Sequence, residues 1–171
     1  MHGPGRRPGP EPRLATGGRR YLLPTPQDTH DLGVELAGLL RRGDLLVLAG
    51  PLGAGKTALV QGLGAGLGVQ GRIASPTFVI ARVHESGHPG GLGLVHVDAY
   101  RLGSLAEVDD LDLDVDAAST VTAVEWGAGL VEQLADAHLA IELERDADSE
   151  QRTATLVPHG GDWSQRLQQL R

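Results

Sequence analysis

The chain has 171 residues and a mass of 17.9 kDa, which suits a single domain with one hydrophobic core. It contains no cysteine, so disulfides, thiolate nucleophiles and cysteine-ligated zinc or iron–sulfur clusters are excluded. The longest apolar run, residues 45–49, is far shorter than the roughly 20 residues that span a bilayer, and the first twenty residues lack the apolar segment of a secretory signal. We therefore expect a cytoplasmic protein without membrane contact.

Residues 1–20 hold five arginines and one glutamate among many Gly and Pro residues, so this segment carries a charge of +4. Such a composition buries too little apolar surface to offset the entropy of ordering, which predicts a disordered Arg/Gly/Pro-rich tail. A basic arm that touches RNA or an anionic surface is the alternative. Residues 21–171 carry a charge of −11 and form the predicted domain, whose sign disfavours direct binding of a nucleic-acid backbone.

The first predicted element is a short strand at residues 21–23. Thr25 suits an N-cap and Pro26 suits the first helical position, so a leucine-rich helix is predicted from there to near Gly43. The apolar run at 45–49 is typical of a parallel strand that is buried on both faces. A second helix is predicted after the glycine-rich turn that follows, although glycines weaken its second half by about 1 kcal/mol each.

Further strands are predicted at residues 78–81, 92–97, 121–124, 139–143 and 153–157. Helical and strand patterns mostly alternate, which indicates a layered α/β fold around a mostly parallel central sheet. The last two strands have little sequence between them, so they indicate antiparallel edge strands.

Residues 50–57 read Gly-Pro-Leu-Gly-Ala-Gly-Lys-Thr and match the phosphate-loop pattern of Gly, four residues, Gly-Lys and Ser or Thr. A buried strand precedes the motif and a helix follows it, as the pattern requires. Its glycines let successive backbone N–H groups point at one anion, and the helix N-terminus adds partial positive charge. Lys56, the only lysine of the chain, is expected to contact the β- and γ-phosphates, and Thr57 to complete a Mg²⁺ shell. The predicted nucleotide-binding residues are Gly50, Leu52, Gly53, Ala54, Gly55, Lys56, Thr57 and Ala58.

Two carboxylates end predicted strands and are expected at the same edge of the sheet. Asp98 is the candidate Walker B acid, which holds magnesium directly or through water. Glu125 is the candidate group that orients the attacking water or binds the magnesium shell. Lys56, Asp98 and Glu125 are therefore predicted to be catalytic, and Thr57, Asp98 and Glu125 are the predicted metal ligands.

Several neighbouring features keep two interpretations. His96 lies two residues before Asp98 on the same strand face, where it either orients that acid or fills the core. Trp126 either caps the sheet or stacks on a base or a partner. The acidic segment 109–116 is either a solvated loop or a docking surface or lid. A metal cluster of His84, His88 and His96 is disfavoured, because the spacing is not that of metal ligands.

The identity of the nucleotide can also be narrowed. Guanine-specific loop proteins read the base with an Asn/Thr-Lys-x-Asp segment, which needs a second lysine. The single lysine of this chain already belongs to the phosphate loop. ATP, together with Mg²⁺, is therefore the predicted cofactor.

Four separate stretches, in this order and spacing, resemble the bacterial TsaE (YjeE) family. They are the phosphate loop at 50–57, Ser-Pro-Thr-Phe at 75–78, His-Val-Asp-Ala-Tyr-Arg-Leu at 96–102 and Glu-Trp-Gly at 125–127. The phosphate loop alone is shared by many NTPases, but its combination with the other stretches is specific. The resemblance covers about residues 21–165 and implies a three-layer P-loop NTPase fold.

The resemblance further implies a small ATPase needed for N6-threonylcarbamoyladenosine at position 37 of tRNAs that read ANN codons. It implies binding to the TsaB–TsaD heterodimer, contact with tRNA only through that complex, and ATP hydrolysis that supports multiple turnover of a transfer which TsaD performs. Thr77 is implied to lie in a switch-like loop near the γ-phosphate and to be a further catalytic residue. Pro51 stands where the family often has Asp, so a carboxylate role inside the loop is not implied here.

Two other functions remain open on the residues alone. A P-loop small-molecule kinase would use nearby arginines such as Arg72, Arg82 or Arg101 to clamp the transferred phosphoryl group. A nucleotide-gated adaptor would act through its bound state, with no required hydrolysis. Activity of the chain alone, given an acceptor, would indicate the kinase.

Overall fold

A computed structural model of the chain describes residues 18–51, 53–73, 81–98, 120–125 and 137–171. Within these ranges, seven strands form one sheet in the order β1-β7-β6-β2-β5-β4-β3. The strands are β1 Arg19–Leu23, β2 Leu45–Ala49, β3 Ala81–His84, β4 Gly93–Asp98, β5 Thr120–Glu125, β6 His138–Arg145 and β7 Arg152–His159. The helices of the described part are α1 Pro26–Ala37, α2 Lys56–Leu67 and α3 Trp163–Leu167.

The sheet is mixed, with a parallel centre and antiparallel margins. Strands β4, β5, β2 and β6 are parallel neighbours. Strand β3 is antiparallel to β4 at one margin. At the other margin β7 is antiparallel to β6, and β1 is antiparallel to β7. The α/β fold class and the antiparallel edge strands predicted from the sequence are thus confirmed, and β2 lies at the centre of the sheet as its apolar run predicts.

Helix α1 begins as predicted but ends earlier. Thr25 and Asp28 form a capping box, in which Asp28 N donates to Thr25 Oγ1 and Thr25 N donates to Asp28 Oδ2. The helix was predicted to reach Gly43, whereas it ends at Ala37. The leucine spacing misleads because tight turns continue beyond the helix and still bring Leu40 into the core.

Helices α1 and α2 approach so closely that glycine is required where they cross. A Cβ on Gly62 of α2 would lie 2.0 Å from the carbonyl oxygen of His30, and one on Gly33 of α1 would lie 2.3 Å from that of Leu59. Both distances are far below contact distance, so neither position admits a side chain. Gly62 and Gly66 weaken α2 as an isolated helix, yet they are the residues that let it pack on α1.

The structure also bears on the predicted tail, on the strand predicted at 78–81 and on the end of the chain. The tail was predicted to include residues 19 and 20, but both belong to β1, which pairs with β7; residues 1–17 lie outside the described ranges. Of the strand predicted at 78–81, residues 78–80 lie outside the described ranges, and Ala81 is the first residue of β3. Helix α3 was not predicted, because its five residues are too few to show a period.

Helix α3 packs into the core through Trp163 and Leu167, and one arginine adds polar contacts to the rest of the domain. Arg166 donates Nη1 to Asp44 Oδ2 at 2.6 Å and Nη2 to Asp44 Oδ1 at 3.1 Å, and its guanidinium lies 4.1 Å from the ring centroid of Trp163. Burial by itself lowers the pKa of Arg166, but its hydrogen bonds to Asp44 and Asp162 raise that pKa above its usual value. The same hydrogen bond from Arg166 holds the pKa of Asp162 below its ordinary value.

Candidate functional site

The loop after β2 takes backbone conformations that glycine alone adopts readily. Gly50 has φ +150°, Gly53 +81° and Gly55 +102°. A Cβ on Gly50 would also lie 2.4 Å from the carbonyl oxygen of Leu143 in β6, so the loop passes too close to the sheet for any side chain there. The loop thus has the tight path that lets backbone amides face an anion.

Helix α2 starts directly from this loop, and its N-terminus carries no side-chain cap. The N-cap residue is Gly55, which has no side chain to accept from the first amides of the helix. A bound anion can therefore accept hydrogen bonds from the amides of the first turn. Lys56 Nζ donates to the carbonyl oxygen of Gly50 at 2.6 Å and so spans the loop. Uncapped amides beside one ammonium group are a donor set that fits a polyphosphate. Thr57 and Ala58, in the same turn, are half-buried.

Two arginines of the β6–β7 hairpin flank the loop. Arg152 donates Nη2 to the carbonyl oxygen of Gly53 at 3.0 Å and Nη1 to the carbonyl oxygen of Glu150, and its side chain is 10% exposed. Arg145 Nη1 would lie 3.9 Å from a Cβ on Gly53, and this arginine pairs with Glu150 at 2.9 Å. Sequence reasoning missed both residues. Two arginines that bracket a short hairpin were the available signal, but only the strand order places that hairpin beside β2.

The two candidate carboxylates meet at the carboxyl edge of the sheet. Asp98 of β4 and Glu125 of β5 are register partners, and Leu48 of β2 is the partner of Glu125 on the other side. Because the loop begins two residues after Leu48, both carboxylates lie at the sheet edge from which the loop emerges. Thr57, Asp98 and Glu125 offer only oxygen donors, which suits Mg²⁺ better than softer metals.

A buried histidine contacts one of these carboxylates. His96 is fully buried, and its Nε2 lies 3.1 Å from Glu125 Oε1. The histidine therefore contacts Glu125 on the neighbouring strand. From the sequence it was expected either to orient Asp98 or to fill the core. His84, on β3, is also buried. Burial lowers the pKa of its imidazole, and a hydrogen bond with the backbone of Gln70 opposes this shift only in part.

The remaining candidates divide into those described and those not. Arg72 lines a cleft of about 420 Å³ beside the second half of α2, away from the loop, and Arg82 is exposed on β3. Across the described ranges, no group of three or more His, Asp or Glu side chains is arranged to hold a metal by itself. The other candidates lie outside the described residues, namely Leu52, Thr77, Arg101, Trp126 and the segment 109–116.

The central strand leads through a glycine-rich turn into an uncapped helix. A lysine lies across the turn, and the next two strands, β5 and β4, each end in an acid. This arrangement defines a protein of the P-loop NTPase fold. Residues 23–154 match the family described as threonylcarbamoyl adenosine biosynthesis protein TsaE. The chain belongs to that family, which takes part in the biosynthesis of threonylcarbamoyladenosine in tRNA.

Individual relatives support the assignment over most of their length. The tRNA threonylcarbamoyladenosine biosynthesis protein TsaE of Streptomyces coelicolor is 54% identical over 138 residues, which cover 78% of this chain and 93% of the relative. The protein of that name from Mycobacterium tuberculosis is 49% identical over 146 residues, or 82% of this chain and 87% of the relative. The crystal structure of Bacillus subtilis YdiB is 27% identical, with a TM-score of 0.69, and the match covers 88% of this chain and 92% of that one.

The structure also bears on the membrane prediction. No helix in the described part of the chain is both long enough and apolar enough to cross a bilayer.

Proposed function

We propose that this chain is a Mg²⁺-dependent ATPase that acts with the TsaB–TsaD heterodimer in forming N6-threonylcarbamoyladenosine in tRNA, without transferring the threonylcarbamoyl group itself. One observation carries the proposal. The loop that Lys56 spans emerges beside the register pair of Asp98 and Glu125, at one edge of the sheet. Membership of the TsaE family supports the link to tRNA modification.

The residues divide the work of hydrolysis. Loop amides and the first turn of α2 bind phosphate oxygens, while Lys56 exchanges its hydrogen bond to Gly50 for one to the β- or γ-phosphate. Magnesium, when bound, neutralises charge on the phosphates as a Lewis acid, and Thr57 and Asp98 would hold it. Glu125 orients the attacking water or the magnesium shell. Thr77 remains the predicted contact near the γ-phosphate.

The net charge of the chain and its family both support action through partner proteins. The chain carries a net charge of −7, so tRNA contact is expected through the partner proteins. We expect slow hydrolysis by the chain alone and faster hydrolysis in the complex, in the cytoplasm where tRNA is modified. Arg72 lies away from the loop, so it does not support a phosphoryl clamp of the kinase type.

The proposal is tested with two variants that separate binding from hydrolysis. Lys56→Ala removes the ammonium group and should raise the Kd for Mg-ATP about 10- to 100-fold by calorimetry. Glu125→Gln keeps the shape of the side chain, so it should bind Mg-ATP normally and hydrolyse it about 100-fold more slowly. Both variants should support only a single round of modification by TsaB–TsaD, measured by nucleoside mass spectrometry.

Two results would contradict the proposal. If cells depleted of this chain keep an unchanged amount of threonylcarbamoyladenosine, the pathway assignment is wrong. If Glu125→Gln loses hydrolysis yet sustains full multi-turnover modification, the chain acts as a nucleotide-gated adaptor.

A further inference from the structure

We propose that His96 is a positioning residue that fixes the orientation of the Glu125 carboxylate through a hydrogen bond from Nε2–H to Oε1. The role rests on the proposed function, because it assumes that Glu125 acts in hydrolysis. It differs from a core-filling role in one respect: the contact is specific to one ring nitrogen and one carboxylate oxygen, which lie 3.1 Å apart.

The backbone register brings the two side chains together. His96 of β4 is the Cα partner of Ala123 in β5, and Glu125 lies two residues further along β5. Residues two apart on a strand share a face, so the histidine and the glutamate lie on one face of the sheet as diagonal neighbours. Asp98 follows His96 by two residues on that same face. The histidine thus lies just inside the sheet edge that carries both acids.

The chemistry of the contact determines where the imidazole proton must be. A carboxylate only accepts hydrogen bonds, so a favourable contact at 3.1 Å needs a proton on Nε2 of His96. The opposite tautomer would set a nitrogen lone pair against an oxygen lone pair. Within the described ranges Nδ1 of His96 has no hydrogen-bond partner, so none of these residues competes with Glu125 for the orientation of the ring.

Burial makes this hydrogen bond consequential. The side chain of His96 is 0% exposed and that of Glu125 is 8% exposed, so water competes little for either group. With Oε1 engaged by the histidine, Glu125 presents Oε2 to the reacting water or to the magnesium shell. Loss of the donor would let the carboxylate rotate, and loss of such an outer partner typically costs about 10- to 100-fold in activity or metal affinity.

Two amide variants of His96 provide a matched pair. In His96→Gln the amide nitrogen lies as many bonds from Cα as Nε2 does, so the donor to Glu125 is kept. In His96→Asn the amide is of the same chemical type but reaches only as far as Nδ1. We expect kcat for ATP hydrolysis to fall about 10- to 100-fold in the Asn variant and to change by no more than about threefold in the Gln variant. The Kd for ADP without metal should be unchanged in both.

A double-mutant cycle shows whether His96 acts through Glu125. In a Glu125→Gln background, His96→Asn should cost less than about twofold in kcat, because the carboxylate it positions is gone. A merely structural histidine would lower kcat by the same factor in the wild-type and Glu125→Gln chains, and would lower the melting temperature of both by the same amount. Such additivity overturns the proposal.

A spectroscopic measurement on the unliganded full chain is independent of activity, and it uses a variant only to assign one resonance. Nitrogen-15 spectra of the imidazoles, with His96 assigned among the seven histidines from the resonance missing in His96→Gln, should show a protonated Nε2. An unprotonated Nε2 overturns the proposal and leaves the proposed function standing. Wild-type activity of Glu125→Gln instead removes the role of that acid in the proposed function, and the role of His96 with it.

Discussion

At the scale of single residues, basic side chains from two separate parts of the sequence lie at the phosphate loop of an acidic domain. Lys56 spans the loop, Arg152 contacts its middle, and Arg145 lies beside Gly53. The two arginines differ in how they are held. Arg152 is nearly buried and bonds to a loop carbonyl, whereas Arg145 is 46% exposed and bonds to Glu150. We therefore expect Arg152 to set the shape of the loop and Arg145 to contribute charge alone.

Arg152→Ala should weaken binding of Mg-ATP about tenfold, because the Gly53 carbonyl loses a charged donor and the loop loses its fixed shape. Arg145→Ala removes the same charge from the same hairpin without removing a bond to the loop, and it should change the Kd by less than about threefold. Calorimetric titration of both variants compares them directly. An equal loss in the two would mean that charge, and not loop geometry, sets the affinity.

At the scale of elements, the pairing of α1 with α2 supports the loop from behind. The N-cap Gly55 of α2 lies against Thr29 of α1, since a Cβ on Gly55 would be 3.4 Å from Thr29 Cγ2. Close packing at Gly33 and Gly62 holds the two helices in this relation. The position of the first turn of α2, and of its amides, therefore depends on glycines that lie outside the loop.

Gly62→Ala should lower the free energy of unfolding by about 1–3 kcal/mol, because its Cβ would overlap the backbone of His30, 2.0 Å away, and the helices would have to separate. Gly38→Ala is the matched control. Gly38 has φ −67°, and the nearest atom to its Cβ would be Glu35 O at 3.4 Å, so this change should be neutral or stabilising by up to about 1 kcal/mol. Urea unfolding followed by circular dichroism measures both, and a stable Gly62→Ala protein would show that the helices can move apart freely.

At the scale of the whole molecule, helix α3 near the end of the chain is hydrogen-bonded to the segment that leads into the central strand β2. Arg166 of α3 pairs with Asp44, the residue before β2, and also donates to the carbonyl oxygen of Leu39. Arg19 of β1 donates to the carbonyl oxygen of Leu170. These contacts join the first strand, the last helix and the entry to β2 in one place, so the fold depends on residues near both ends of the folded region.

Arg166→Met should lower the free energy of unfolding by about 3–5 kcal/mol, because Asp44 would remain buried without its cation. Arg41 supplies the control, since its ion pair with Asp162 is exposed and its replacement by Met should change stability little. Adding Asp44→Asn to Arg166→Met should restore part of the loss by removing the unpaired charge. Thermal unfolding of the three proteins would contradict this view if the Arg166 and Arg41 variants melted alike.

Acid should weaken the ion-pair cluster of Arg166 with Asp44 and Asp162, because Asp162 becomes protonated. Its pKa is lowered in the folded state, first by the hydrogen bond from Arg166. The unfolded chain therefore takes up the proton first, so the stabilisation that this carboxylate contributes is fully present above the ordinary aspartate pKa of 3.8 and is lost as the pH falls through the lowered value.

Local sequence was sufficient for the parts of the molecule that local physics controls. The N-cap at Thr25, the apolar run of β2 and the phosphate-loop pattern each fall within a few consecutive residues, and each was predictable at nearly the correct position. The end of α1 and the short helix α3 were not, because leucine spacing does not distinguish a helix from the turns after it, and five residues show no period.

Tertiary structure alone decided which groups meet at the site. Arg152 follows Gly53 by 99 positions, and His96 and Glu125 are 29 positions apart. Neither contact leaves a mark in the local pattern, because strand order and register bring the residues together. Likewise, Gly62 and Gly66 oppose a helix in isolation and become favourable only when α1 packs on them. The sequence by itself determined that this chain carries a phosphate loop, whereas the sheet determined which side chains surround it, since contacts across strands depend on geometry that no local pattern encodes.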